Sequence, residues 1–256
     1  MRKVKTCLRY PGGKFYGFKT IKPFLEIKHD EYREPFVGGG SVFLGKDLAG
    51  KINWINDVDK DLINFYLVIQ NKNKLKKLFS LLKNEIASRE RHSEVLKLKP
   101  KNEIERAFKY FYLNRTSFSG IMNKPRWGYK IGSSTVPEKW PTIIEPVAKK
   151  LKNIKITSVD YKKIILKPSK NKVLLYLDPP YFEASKAIYN NEFMMADHIK
   201  LMEILKKTKF KFILSYNNSE KLKKLYSWAK INEHDWTYFM SEGRRQNGKE
   251  LLITNF

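Results

Sequence analysis

Leu175-Tyr176-Leu177-Asp178-Pro179-Pro180-Tyr181 is the stretch on which the reading of this chain turns. It closes the most hydrophobic run in the sequence, 172–177, and breaks off into an acid, two prolines and an aromatic ring. A short, continuous apolar run fits a strand buried on both faces. The prolines after it stiffen the backbone and supply carbonyls with no N–H of their own. What results is a rigid corner of acceptors, the Asp178 carboxylate and the Pro179 carbonyl, beside the ring of Tyr181. Such a corner suits a planar group that carries an amine: two acceptors hold the NH2 while the ring stacks on the flat face. The plainer alternative is a proline-rich turn whose Asp caps the next helix. A glycine loop upstream weighs against it.

Outward from that strand, four more runs read as strands: 32–37, 51–56, 154–159 and 210–216. Helical patterns lie between them. Leu62, Phe65, Tyr66 and Ile69 recur at helical spacing within 61–70, as do Ile199, Met202, Ile204 and Leu205 within 196–206. Alternating strands and helices predict an α/β fold with a mostly parallel sheet covered by helices on both faces. The C-terminal end departs from this. Segments 234–241 and 249–255 read as two strands around 243–248, where Asn247-Gly248 favours a turn, so an antiparallel hairpin is expected to close the sheet.

Residues 71–150 interrupt the alternation. Helices are expected over 74–88 and 103–114, followed by a Ser-, Gly- and Pro-rich stretch over 116–141. This segment carries 19 Lys and Arg against 7 Glu. It reads as an inserted, mainly helical module that meets a polyanion, within a discontinuous core of residues 1–70 and 151–256. The alternative is an ordinary solvated helical insertion.

The glycine loop is Glu34-Pro35-Phe36-Val37-Gly38-Gly39-Gly40-Ser41-Val42-Phe43, a strand end followed by glycines and a helix start. Glycines let the backbone turn tightly and approach a ligand, and a helix N-terminus offers unpaired N–H groups. About 20 residues on, the next strand ends in Asn56-Asp57-Val58-Asp59-Lys60-Asp61, where an acid is placed as in folds that grip ribose hydroxyls. Asp57 is the best placed. The same run is not a calcium loop, because Leu62 stands where that loop requires Gly and Val68 where it requires Glu.

Composition bounds the rest. The 256 residues carry 51 Lys and Arg against 26 Asp and Glu, a net charge of +25. A charge of that size on a folded domain points to a polyanionic partner, with nucleic acid favoured over an acidic membrane surface. A hydrophobic share of 42% with 14% aromatics excludes a disordered chain. A single cysteine, Cys7, excludes a disulfide scaffold, and with four scattered histidines it argues against structural zinc. No apolar run reaches the roughly 18–20 residues of a membrane span, so a soluble intracellular protein is expected.

Lys14, after Gly12-Gly13, does not sit in a phosphate-binding loop, because the spacing is wrong and Phe15 replaces Ser or Thr. A cofactor-side or structural role is expected. Arg115, Lys124, Arg126 and Lys130 are interleaved with Phe118, Trp127 and Tyr129, a mixture suited to groove and backbone contact. The alternative is a solvated loop with a small hydrophobic anchor. Arg244, Arg245 and Lys249 flank the terminal turn, where they either meet phosphates or are merely exposed. His29, His92, His198 and His234 read as structural.

Taken together, the motifs resemble those of the Dam-like, alpha-group (D12 class) DNA adenine-N6 methyltransferases. Arg9-Tyr10-Pro11-Gly12-Gly13-Lys14 is similar to the family's N-terminal motif, with Tyr10 where Trp is frequent. Glu34 to Phe43 is similar to its cofactor loop, Asn56 to Asp61 to the acidic motif, and Asp178-Pro179-Pro180-Tyr181 to the catalytic tetrapeptide. Asn114-Arg115-Thr116-Ser117-Phe118-Ser119-Gly120 resembles the start of the recognition loop. Ile213-Leu214-Ser215-Tyr216-Asn217-Asn218 and Glu250-Leu251-Leu252-Ile253-Thr254-Asn255 resemble later strand motifs. Order and span are kept over nearly the whole chain.

The resemblance implies a Rossmann-like methyltransferase sheet with an inserted DNA-recognition domain. It implies transfer of a methyl group from S-adenosylmethionine to N6 of a flipped-out adenine in a short duplex sequence, with no metal. By matching position, Tyr10, Lys14, Glu34, Pro35, Phe36, Gly38, Gly40, Ser41, Asp57 and Asp178 are expected at the cofactor, and 178–181 at the reacting amine. Arg115, Lys124, Arg126, Trp127, Tyr129, Lys130, Arg244 and Arg245 are expected at DNA. A cognate restriction endonuclease is an expected partner. The expected site of action is the cytoplasm and its nucleoid, or a host cell's interior for a viral protein. The competing readings are cytosine-N4 methylation, RNA adenine methylation, and a basic DNA-binding module without catalysis.

Overall fold

The computed structural model of the chain describes residues 4–181, 193–239 and 245–256. Five parallel strands form one side of a seven-stranded sheet, with β3 at its edge: β1 (Glu31–Glu34), β2 (Ile52–Asn56), β3 (Lys155–Thr157), β4 (Val173–Leu177) and β5 (Lys211–Asn217). The antiparallel strands β6 (Lys230–Phe239) and β7 (Arg245–Thr254) complete the order β3-β2-β1-β4-β5-β7-β6. The expected parallel sheet with a C-terminal hairpin is therefore present. The turn is not where the Asn-Gly pair suggested. Asn247 and Gly248 lie within β7, opposite Thr237 and Trp236, because the ladder between β6 and β7 runs on to Phe239 and Arg245. Gly243, Arg244 and the expected strand end at Ser241 fall outside the described residues.

The order fixes where a ligand can bind. From β1 the chain proceeds to β2 on one side, whereas β4 lies against β1 on the other. At such a reversal the loops leave the carboxyl ends of adjacent strands in opposite directions and open a crevice. Glu34 ends β1 and Asp178 follows β4, so both sit at that crevice.

Burial explains the strands unequally. Every residue of β4 is buried, as its apolar run demands. Every residue of β1, Glu31-Tyr32-Arg33-Glu34, is also buried although three of the four are charged. The alternation of strand side chains sorts them by face. Arg33 Nε donates to Glu31 Oε1 at 2.6 Å on one face, and its Nη1 donates to the carbonyls of Ile164 and Lys167. On the other face the Tyr32 hydroxyl donates to Glu34 Oε2 at 2.5 Å. Satisfied partners make burial of these groups tolerable.

Helices α1 (Phe18–Leu25), α2 (Ser41–Gly45), α3 (Lys60–Gln70), α8 (Tyr161–Ile165), α9 (Met195–Lys207) and α10 (Glu220–Leu225) belong to the sheet layers. Asp59 starts α3 by accepting the N–H groups of Asp61 and Leu62, the role of an N-cap. Between β2 and β3 lie α4 (Lys72–Leu82), α5 (Arg89–Lys97), α6 (Glu103–Thr116) and α7 (Trp140–Leu151). The single helix expected over 74–88 is instead broken. α4 stops at Leu82, and Ser88 caps α5 by accepting the Arg91 N–H at 3.0 Å. The insertion packs on α3 through aromatic rings: Phe65 stacks on Phe111 at 5.3 Å, and Trp140 meets Phe111 and Tyr112 edge-on at 5.6 Å. One hydrophobic cluster runs from the sheet through α3 into α6 and α7.

Candidate active site

At the β1–β4 crevice lies a cavity of about 350 Å³. Its floor is the glycine loop. Gly38 and Gly40 have φ of +46° and +71°, a region that side chains strain to enter. A Cβ on Gly38 would also lie 2.7 Å from the Tyr10 ring. Tyr10 therefore lies directly against the loop, and Tyr66 braces it from below by donating to the Gly38 carbonyl at 2.8 Å. The Gly38 N–H is already used. It donates to Asp57 Oδ2 at 2.9 Å, so the end of β2 is tied to the loop.

An ion pair between a buried lysine and a half-buried carboxylate faces this floor. Lys14, 3% exposed, donates to both oxygens of Asp178 at 2.8 Å and to the Gly12 carbonyl at 3.1 Å. Its Nζ also lies 4.6 Å from the centre of the Tyr181 ring. Burial pushes the Asp178 carboxyl up to about 6; Lys14 opposes the rise and Glu250 adds to it. Burial likewise pushes Asp57 up to about 6, against hydrogen bonds from the Asp59 and Gly38 N–H groups. Glu34 rises furthest, to about 8, mainly through burial; the hydrogen bond from Tyr32 opposes the rise, and the charge of Asp178 adds to it.

All ten residues expected at a cofactor line this one cavity: Tyr10, Lys14, Glu34, Pro35, Phe36, Gly38, Gly40, Ser41, Asp57 and Asp178. Pro180 lines it too, whereas Pro179 is buried and Tyr181 is half-buried with its hydroxyl donating to Glu250. Other lining residues were not expected. Asp160 and Tyr161 follow β3, and Phe193 precedes α9. Phe36, Tyr161 and Phe193 pack ring to ring, with centres 5.2–5.9 Å apart. The signal for Asp160 was present: Ser158-Val159-Asp160-Tyr161 places an acid after a strand just as Asn56-Asp57 does.

The wall carries six acids, Glu34, Asp57, Asp59, Asp160, Asp178 and Asp197, against two lysines, Lys14 and Lys162. In a chain of net charge +25 this is a local inversion of sign. The cavity suits a ligand with positive charge, hydroxyl groups and a flat ring. Among the described residues no cluster of His, Cys, Asp and Glu could hold a metal ion, and no helix is long and apolar enough to cross a membrane.

The basic set divides. Lys124, Arg126 and Lys130 are exposed on one loop. That loop is pinned back against the end of α6, where Phe118 N–H donates to the Arg126 carbonyl and Gly128 N–H to the Thr116 carbonyl. Trp127 packs on His92 at 5.7 Å and on Tyr129 at 5.9 Å, so these rings anchor the loop. Arg115 departs from the expectation of a DNA contact. It is 8% exposed, and its Nη1 donates to the Cys7 carbonyl, because the last turn of α6 is sunk in the core. Arg245 opens β7, and Arg244 lies outside the described residues.

A sequence model for the D12 class N6 adenine-specific DNA methyltransferases matches residues 10–240. A Type II methyltransferase of Lactococcus lactis subsp. cremoris, M1.LlaDCHI, is 29% identical, covering 99% of this chain and 96% of that protein. The Type II methyltransferase M.CviBI of Paramecium bursaria Chlorella virus NC1A is 24% identical over 98% of both. A DNA adenine methylase of Vibrio cholerae is 26% identical, covering 91% of this chain and 88% of that protein.

Proposed function

Because the chain belongs to the D12 class N6 adenine-specific DNA methyltransferases, and is an enzyme that methylates adenine N6 in DNA, we propose that it binds S-adenosylmethionine in the β1–β4 cavity and presents the target amine to Asp178. The family excludes the cytosine-N4, RNA and non-catalytic readings. The observation that carries the proposal is the acid-lined cavity with Asp178 on its wall inside a strongly basic protein.

The residues fit that cofactor. Asp57, just after β2, is placed for ribose hydroxyls. Phe36 and Tyr161 offer flat faces to an adenine ring. The Asp178 carboxylate faces the cationic end, with Glu34 as a neutral carboxyl beside it below about pH 8 and Tyr10 lying along the glycine loop. Bound there, S-adenosylmethionine supplies a methyl group activated by its sulfonium.

The chain's own task is the amine. An adenine amino group is a poor nucleophile because its lone pair is shared with the ring. Hydrogen bonds from N6–H to Asp178 and to the Pro179 carbonyl favour a pyramidal nitrogen and aim its lone pair. Direct displacement needs positioning and electrostatics rather than a covalent enzyme nucleophile. Cys7 is accordingly spare: it is fully buried, and burial raises its thiol to about 12. The base must leave the duplex stack, which costs a few kcal/mol, and stacking on Tyr181 offsets part of this.

The exposed Lys124, Arg126 and Lys130 supply phosphate contacts in the 71–150 module, and Arg115 ties the end of α6 to the N-terminal segment through the Cys7 carbonyl. The names of two relatives, Type II methyltransferases, support a partner restriction endonuclease. Calorimetric titration with S-adenosylmethionine tests the cofactor site: Asp57→Ala is expected to weaken binding at least about tenfold. Unchanged affinity would move the cofactor elsewhere. Methylation-sensitive sequencing of DNA from cells expressing the enzyme would give the recognised sequence.

A further inference from the structure

Glu250 lies on β7, opposite Asn217 of β5 and His234 of β6, and has no exposed surface. Its neighbours along the strand, Leu251, Leu252 and Ile253, are fully buried and apolar. A carboxylate in such a position costs stability unless its oxygens are engaged. Both are. Oε2 accepts from Ser215 Oγ at 3.1 Å, and Oε1 accepts from the Tyr181 hydroxyl. Lys14 Nζ lies 4.0 Å from Oε1. The closing hairpin thus reaches the corner after β4 through one side chain.

We infer that Glu250 is a positioning residue for methyl transfer: by holding the hydroxyl of Tyr181 it fixes the plane of the ring on which the extruded adenine stacks. The prolines before Tyr181 stiffen the backbone but leave both side-chain torsions free. A bond at the far end of the ring removes that freedom. Lys14 spans the same unit, bonding Asp178 on one side and standing over the Tyr181 ring on the other. The acceptor for N6 and the stacking ring are therefore held to one another through Lys14 and Glu250. This inference rests on the reading of Tyr181 as the stacking surface.

The test is a set of single-turnover methyl-transfer rates with enzyme in excess over unmethylated duplex DNA and saturating S-adenosylmethionine. The variants are Tyr181→Ala, Tyr181→Phe, Glu250→Met, Glu250→Gln and the Tyr181→Phe/Glu250→Met double. Tyr181→Phe and Glu250→Met are each expected to slow the rate about tenfold, and the double variant no more than either. Glu250→Gln, which keeps an acceptor oxygen, is expected to restore the rate to within about threefold. Affinity for S-adenosylmethionine by calorimetry and KM for DNA are expected to stay within about twofold. A merely structural role would lower the melting temperature and the active fraction without slowing the first-order rate.

A multiplied, roughly hundredfold slowing in the double variant would overturn the inference, as would a wild-type rate for Tyr181→Phe or Glu250→Met. Should Glu250→Met not fold, Tyr181→Phe decides alone, because it keeps the ring and deletes only the tether. If Tyr181→Ala also turns over at the wild-type rate, the stacking reading falls and this inference with it. If Tyr181→Ala is slow and Tyr181→Phe is not, only the role of Glu250 falls.

Discussion

Lys14 Nζ lies 2.8 Å from both carboxylate oxygens of Asp178, 164 residues along the chain. The N-terminal Gly-Gly-Lys motif and the Asp-Pro-Pro-Tyr corner are one unit. Even so, burial outweighs the lysine and the carboxyl stands at about 6. An ionised carboxylate is the stronger acceptor for N6–H, roughly twice as strong as a neutral one. The methyl-transfer rate is therefore expected to rise through pH 6 and level off near pH 7 (about one pH unit higher). Lys14 lowers the Asp178 value, so Lys14→Met is expected to move that rise to higher pH. A pH–rate profile of the two proteins under single-turnover conditions checks both statements, and an acid limb unmoved in Lys14→Met would refute the coupling.

Glu34 makes the chain's stability depend on pH. Its carboxyl titrates at about 8 in the folded protein, against an ordinary value of 4.5. Between those values the folded chain keeps a proton that the unfolded chain has released. Stability contributed by this group is therefore highest in acid and is lost as pH rises through that window. Glu34→Gln cannot lose a proton. It is expected to lose less stability between pH 5 and pH 8, by a few kcal/mol (roughly 1.4 kcal/mol for each pH unit crossed within the window). Urea titrations of both proteins at the two pH values measure the difference.

Exposure separates the basic residues of the insertion. Neutralising Lys124, Arg126 and Lys130 together is expected to shallow the plot of log affinity for DNA against log salt, by up to about 0.9 for each phosphate no longer neutralised. Arg115→Ala, in contrast, is expected to leave that slope unchanged and to lower the melting temperature. It removes a buried guanidinium that donates to the Cys7 carbonyl. Binding isotherms at several salt concentrations distinguish the two.

The strand runs that were legible in the sequence were those whose burial is apolar. β4 and β5 were expected within a residue or so of where they lie, since parallel strands covered on both faces must be hydrophobic. β1 was placed only approximately, because Glu31 and Arg33 neutralise each other inside the protein and leave no apolar pattern to read. The Asn247-Gly248 pair misled for a related reason: a local turn preference yields to a ladder that pairs both strands on past it. At the site, the residues that line the cavity were legible because most of them end a strand or follow one. Arg115 was not, since its place in the core depends on how α6 packs, which helical spacing around one residue does not specify. Glu250 stood in a motif but showed its role only when β7 was laid beside β5.

The assignment of the reacting corner is tested most directly by mass analysis of nucleosides from duplex DNA incubated with S-adenosylmethionine and either the wild-type protein or Asp178→Ala. The wild type is expected to yield N6-methyladenine. Asp178→Ala is expected to lose at least about a hundredfold in rate, roughly 2.7 kcal/mol of transition-state stabilisation, while still binding DNA. N6-methyladenine formed by Asp178→Ala within about tenfold of the wild-type rate would show that another group holds the amine.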